Sequence, residues 1–156
     1  MKKSVPVLCC ALLLALSAAC SSGQPEAAAA YDPASTAQAL LDSGAFSQEL
    51  EALDADIIAP NYGLTDEPEE AVAYTSLEGG YEQLAVLKLA DEAAAKTACD
   101  TLTAYVAAQK ETEADVQYKP EDLPKLEQAV VKQAGNTVLL VVANDYAKAD
   151  AALNQN

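Results

Sequence analysis

The chain of 156 residues has no histidine and no arginine. Without histidine it lacks the commonest general base near neutral pH and the commonest metal ligand. Its nine cations are all lysine and stand against 24 acids, a formal charge of −15. That balance argues against nucleic acid, whose binding rests on cationic contacts to phosphate. It argues equally against docking on anionic lipid head groups, which attract basic segments. Cysteine is scarce too. Of the four, Cys9 and Cys10 lie in an N-terminal apolar run, which leaves Cys20 and Cys99. No Cys-x-x-Cys remains after that run, so no zinc site can be drawn and no disulfide framework either. The serines lack a Gly-x-Ser-x-Gly elbow, a Ser-x-x-Lys pair and any histidine partner. No catalytic residue, metal ligand set or cofactor fingerprint can be assigned on these grounds.

What is present begins at the N-terminus. Met1-Lys2-Lys3 is a short basic start, Val5–Ala18 is apolar, and small residues then lead into a cysteine. That is the layout of a secretory signal peptide. An apolar run of about fourteen residues is too short to span a bilayer, which needs roughly twenty. Leu16-Ser17-Ala18-Ala19-Cys20 resembles the bacterial lipobox. The resemblance implies cleavage between Ala19 and Cys20 and a diacylglyceryl group on the Cys20 sulfur. An ordinary signal peptide, cut after Ala19 or within Ser21-Ser22-Gly23, is the alternative. Two acyl chains on one cysteine suffice for stable anchoring, where a single chain is marginal. Removing residues 1–19 takes away two lysines and no acid, so the charge of the exported part is −17.

The rest divides in two. Residues 20–31 read as the lipidated cysteine and a low-complexity tether, and residues 32–156 as one domain. Asp32-Pro33 starts a helix, with an N-cap residue followed by proline at the first helical position. Ala37, Leu40 and Leu41 form its apolar face and Gly44 is its stop. Phe46, Leu50 and Leu53 fit a helix or an edge strand. Ala59–Gly63 reads as a loop and Thr65–Glu70 as an acidic turn. Ala71–Leu77 and Gln83–Ala90 form a hairpin, and Asp91 caps a long helix over Glu92–Lys110. A polar stretch, Glu111–Asp122, leads to a helical turn near Leu123–Gln128. Ala129–Ala134 and Thr137–Ala143 form a second hairpin around Gly135-Asn136. Asn144 or Asp145 caps a last helix. The order predicts an α+β fold in two layers: an antiparallel sheet of two hairpins, the long helix on one face, and flanking short helices. Val138–Val142 is apolar at every position, so both its faces need cover.

Two segments carry a family resemblance. Ala71–Lys88 and Ala129–Val142 resemble the bacterial lipoprotein family called domain of unknown function 4358, over about residues 38–150. In that family a strand, a turn ending in an acidic residue and an Ile-Ala-Val-Phe-Lys-like strand recur. Here Glu82, Gln83–Leu87 and Lys88 take those places. The resemblance implies a lipobox, a tether and one small domain outside the membrane of a Gram-positive bacterium. It implies no activity, and it assigns no functional residue beyond the lipidated Cys20.

Other candidates are weak against their plainer readings. Cys99 sits on the apolar face of the long helix with only Lys96 one turn away, so it reads as a packed, inert thiol. Glu67, Glu69 and Glu70, or Asp54 and Asp56, offer oxygens for calcium. Ile58 stands where an EF-hand needs its third ligand, and with 24 acids in the chain a solvated acidic face is the better reading. Tyr62, Tyr74, Tyr81, Tyr105, Tyr118 and Tyr146 could supply a stacking platform for sugar or peptide; Tyr74 and Tyr105 read rather as core, and Tyr62 and Tyr81, in turns, as the better candidates for an exposed contact. The resulting expectation is a lipid-anchored, non-enzymatic envelope protein that binds a protein or an envelope polymer. An enzyme with an acid-based site acting on envelope polymers is the alternative.

Overall fold

The computed structural model describes residues 29–155. The signal segment, the Ala19–Cys20 cleavage point, the Cys20 lipidation site and the tether up to residue 28 lie outside the described residues. The described chain runs α1 (Pro33–Asp42), β1 (Leu50–Ala52), α2 (Ala55–Tyr62), β2 (Glu70–Ser76), β3 (Gln83–Lys88), α3 (Glu92–Val116), α4 (Leu123–Glu127), β4 (Val130–Ala134), β5 (Thr137–Val142) and α5 (Tyr146–Leu153). A 3₁₀ turn at Pro120–Asp122 leads into α4. The strands form one antiparallel sheet in the order β1-β2-β3-β5-β4. The expected hairpins are β2–β3 and β4–β5, and they meet where Ala85 faces Leu140.

The central strands dictate the layering. All of β5 and nearly all of β3 are buried. Side chains alternate along a strand, so each feeds two cores. Ala85, Leu87, Val138, Leu140 and Val142 pack with Ala95, Ala98, Leu102 and Val106 of α3, Ile58 and Tyr62 of α2 and Leu126 of α4. Leu84, Val86, Leu139 and Val141 pack with Ala37 and Leu40 of α1 and Ala149 of α5. The fold is therefore α+β as expected, but in three layers rather than two. The long helix carries one apolar stripe and can cover only one face; the two terminal helices cover the other.

Local chemistry sets most boundaries. Asp32, Asp91 and Asp145 each accept a hydrogen bond from the backbone N–H three residues on, at 2.8, 2.8 and 3.2 Å, the N-cap geometry. Residues 50–52 settle as an edge strand paired with Tyr74–Ser76. Two assignments are corrected. Residues 55–62 form a helix that takes in Ala59–Tyr62, read above as loop, with Pro60 inside it. Proline there removes the hydrogen bond to the Asp56 carbonyl; Asp56 is exposed, so water can replace it. Gly63, at φ 68°, ends that helix by donating to the Ala59 and Pro60 carbonyls, a left-handed cap. The long helix runs six residues past Lys110 to Val116. Its polar last turns still have an inner side, because Glu113 is 1% exposed and accepts from the Lys119 N–H at 2.8 Å.

Both Leu139 and Leu140 are fully buried, on opposite faces. Leu140→Asp and Leu139→Asp are each expected to unfold the domain, since each buries an unpaired charge. The corresponding alanine variants should stay folded and lose about 2–5 kcal/mol. Far-UV circular dichroism and urea titration measure both effects. A folded Leu139→Asp variant would show that α1 and α5 do not seal their face.

Candidate functional site

A buried charge cluster and a polar pocket gather at one end of the sheet, where Gln83 pairs with Val142 and Thr75. Gly80-Tyr81-Glu82-Gln83 enters β3 there. Strand alternation sends the neighbouring Glu82 and Gln83 to opposite faces. A Cβ on Gly80 would collide with the Gln48 amide. Glycine at that position lets the segment before β1 close over the turn.

At this end lies a buried charge cluster. Glu82 and Asp122 are 0% exposed. The Lys125 ammonium bridges them, 2.7 Å from Glu82 Oε1 and 2.7 Å from Asp122 Oδ1. Glu82 also accepts from the Ser47 N–H at 2.8 Å, the Ser47 hydroxyl and the Gln48 N–H at 3.1 Å. Asp122 accepts from the Tyr81 N–H at 3.0 Å and the Gln48 amide at 3.3 Å. Tyr146 donates to the Lys125 carbonyl at 2.7 Å and accepts from the Ala143 N–H at 3.2 Å. Burial alone would push the Asp122 carboxyl up. The bonds from Lys125 and the Tyr81 N–H outweigh it and hold Asp122 below the usual carboxylate value. Burial likewise pulls Lys125 down, and its two carboxylate partners more than offset that. A lysine held protonated between two carboxylates is a clamp rather than a base. It joins the segment before β1, the start of β3 and α4.

On the α3 side of the same end is a polar pocket of about 220 Å³, lined by Asn61, Thr75, Tyr81, Gln83, Tyr105 and Gln109 among others. Gln83 is 3% exposed. Its amide donates to Gln109 Oε1 at 2.8 Å, and the Gln109 amide donates to the Tyr105 hydroxyl at 3.1 Å. Gln83 Oε1 and the Tyr62 hydroxyl are buried without a hydrogen-bond partner. Burial, the adjoining Glu113 carboxylate and the Asp122 and Tyr118 side chains push Tyr81 up to about 12, so its hydroxyl stays a donor.

The tyrosines divide differently from their sequence reading. Tyr62 is not an exposed contact. It is 1% exposed in the α2–α3 core, its ring edge-on to Tyr105 at 5.1 Å and 77°. The helix around Pro60 turns it inward. Tyr81 is half-buried and lines the pocket, with Tyr105 beside it. Tyr74 is half-buried against the α1/α5 core. Tyr118 is exposed, its hydroxyl near Gly79. Cys99 is half-buried against the α3 core, and burial, with Asp100, pushes its thiol up against the pull of Lys96. Asp54, Asp56, Glu67, Glu69 and Glu70 are exposed, and Glu70 pairs with Lys88. Among the described residues, no three histidine, cysteine, aspartate or glutamate side chains stand close enough to hold a metal. The Glu82–Lys125–Asp122 clamp and the Gln83–Gln109 pair escaped sequence reasoning. The only signal was Glu82 at an acidic position of the family pattern.

Two predictions follow from the clamp. Lys125→Met should cost about 3–5 kcal/mol, because it strands two buried carboxylates; the urea midpoint at pH 7 measures it. Asp122 titrates lower folded than unfolded, so its contribution is present above the ordinary aspartate range and lost as pH falls through the folded value. Lys125 and Tyr81 titrate higher folded than unfolded. Their contributions hold below the ordinary lysine and tyrosine values and disappear as pH rises through the folded ones. Thermal melts should therefore show a plateau through neutral pH, with a fall in strong acid and another above about pH 10. In Lys125→Met the acid-side fall should be much reduced.

No curated protein and no solved structure matches the chain. No helix among the described residues is long and apolar enough to cross a membrane. The family described as "Domain of unknown function (DUF4358)" matches residues 42–143. That span runs from the end of α1 through β5 and contains the sheet, the clamp and the pocket. With most of its length matched, the chain belongs to the domain of unknown function 4358 family.

Proposed function

We propose that the protein is a lipid-anchored, non-enzymatic binding module on the outer face of a bacterial cell membrane. Cys20 carries the diacylglyceryl group, and the pocket faces away from the bilayer. The supporting observation is the placement of the chain's entry. The Tyr31 N–H donates to Thr137 Oγ1 at 2.9 Å, so the tether joins at the end of the sheet where Thr137 faces Lys88. The pocket lies at the other end, beside Gln83 and Thr75. Six paired residues separate the two ends of β3 and β5, about 17–20 Å of strand. Between Cys20 and Tyr31 the chain can reach up to about 35–40 Å when extended. The exported part carries a charge of −17, which keeps it off an anionic lipid surface and leaves the acyl chains as the means of retention.

Cys20→Ser is expected to abolish fatty-acid labelling and release the protein from the membrane fraction, with its melting temperature unchanged. Fractionation after a high-salt wash, beside metabolic labelling with a palmitate analogue, measures both. Equal retention of the variant would overturn the anchor.

A further inference from the structure

We infer that the pocket between α2, α3 and the end of β2–β3 binds one ring of a neutral saccharide through the side chains of Asn61, Gln83, Gln109 and Tyr105. This rests on reading the protein as a binding module. The pocket's size comes first. At about 220 Å³ it has room for about seven waters at ~30 Å³ each. That is below the ~300–1,000 Å³ of drug-sized sites and suited to a single small ring.

The lining then sets the chemistry. Asn61, Thr75, Gln83 and Gln109 end in amides or a hydroxyl, and Tyr81 and Tyr105 add phenols. Each such group both donates and accepts, as each sugar hydroxyl does. The charged neighbour in the wall, Glu82, is turned to the other face and already held by Lys125, Ser47 and Gln48. An anionic ligand would meet a chain of strongly negative charge. A peptide is recognised mainly along a free strand edge or in side-chain subsites. Thr75 and Gln83, the strand residues of this pocket, are paired to each other, so no free edge lines it.

Gln83 provides the independent observation. It is 3% exposed, and its amide N–H groups reach Gln109 and the Tyr81 carbonyl. Its Oε1 has no partner. A buried acceptor left unpaired is costly and rare in folded proteins. A ligand hydroxyl donating to Oε1 removes that cost. Because Oε1 is shielded from solvent, the side chains at the rim must open slightly to admit the ring.

The test is saturation-transfer NMR on the full chain in a detergent without a sugar head group, with N-acetylglucosamine and the neutral tripeptide trialanine as probes. Transfer to the sugar is expected, with affinity about tenfold weaker in Gln83→Met and in Asn61→Ala. Asn61 is exposed, so its variant keeps the test valid if Gln83→Met does not fold. Sugar binding unaffected by Asn61→Ala would overturn the assignment of this pocket. Trialanine binding without sugar binding would overturn the ligand class and leave the binding-module reading standing. Binding of neither probe would overturn the saccharide site and leave the membrane anchor, which the Cys20→Ser fractionation measures separately.

Discussion

The fold depends on two adjacent strands that are apolar on both sides. Where β3 and β5 pair, Leu84 and Val86 of one strand and Leu139 and Val141 of the other point one way; Ala85, Leu87, Leu140 and Val142 point the other way. Each buried leucine or valine side chain is worth about 1.5–3 kcal/mol only if its own face is kept dry. A single helical layer cannot do that. The chain answers with α2, α3 and α4 on one side and α1 and α5 on the other. The outer strands need less, and they are accordingly half-exposed: β1 is three residues long, and Lys132 and Gln133 of β4 face solvent. A short edge and a charged edge are both poor templates for pairing with a second chain.

The terminal helices have a second consequence. The family match covers residues 42–143, which leaves α5 and nearly all of α1 outside it. Yet Leu40 and Ala149 are buried against Leu139 and Val141 of the matched sheet. In this chain the matched sheet therefore relies on α1 and α5, from outside the match, to bury part of one face. The backbone bonds from Asn144 and Asp145 to the Ala45 carbonyl tie the two ends of the matched segment together. The buried clamp works at the same end of the sheet. Glu82, Asp122 and Lys125 fix α4 and the segment before β1 against the start of β3, so the wall behind the pocket does not depend on loop packing alone. A buried ion pair is weak evidence of net stability but is costly to break. Its value here is geometric: it holds Tyr81 in place through the backbone bond to Asp122.

Features governed by neighbours in sequence were legible. Asp32, Asp91 and Asp145 cap helices by reaching three residues forward, and Gly135-Asn136 turns a hairpin within four residues; no distant contact is needed for either. Cover on both faces of Val138–Val142 was also legible, because an unbroken apolar strand permits nothing else. The second helix was not. Pro60 is a strong local signal against a helix, and packing of Ile58 and Tyr62 into the core overrode it. The last turns of α3 were hidden by their polarity, since one buried glutamate among exposed residues leaves no apolar stripe. The clamp was illegible for a different reason. Lys125 lies 43 residues from Glu82, and among 24 acids no single pair stands out.

That limit bears on how function is carried in such a chain. A histidine-free, arginine-free domain has few groups whose chemistry shows in composition, and its polar pocket beside Gln83 is lined by amides and hydroxyls. These residues are common and silent in sequence, and they gain meaning only when burial removes water as their alternative partner. Gln83 is such a case. On a surface its carbonyl would be hydrated and unremarked. In the fold Gln83 is three per cent exposed, its amide reaches Gln109 and the Tyr81 carbonyl, and the same oxygen is left without a partner. A pocket of neutral groups also suits a strongly acidic domain. Hydrogen bonds within it are not screened by salt as exposed charge pairs are, and the surface charge serves solubility without entering the pocket.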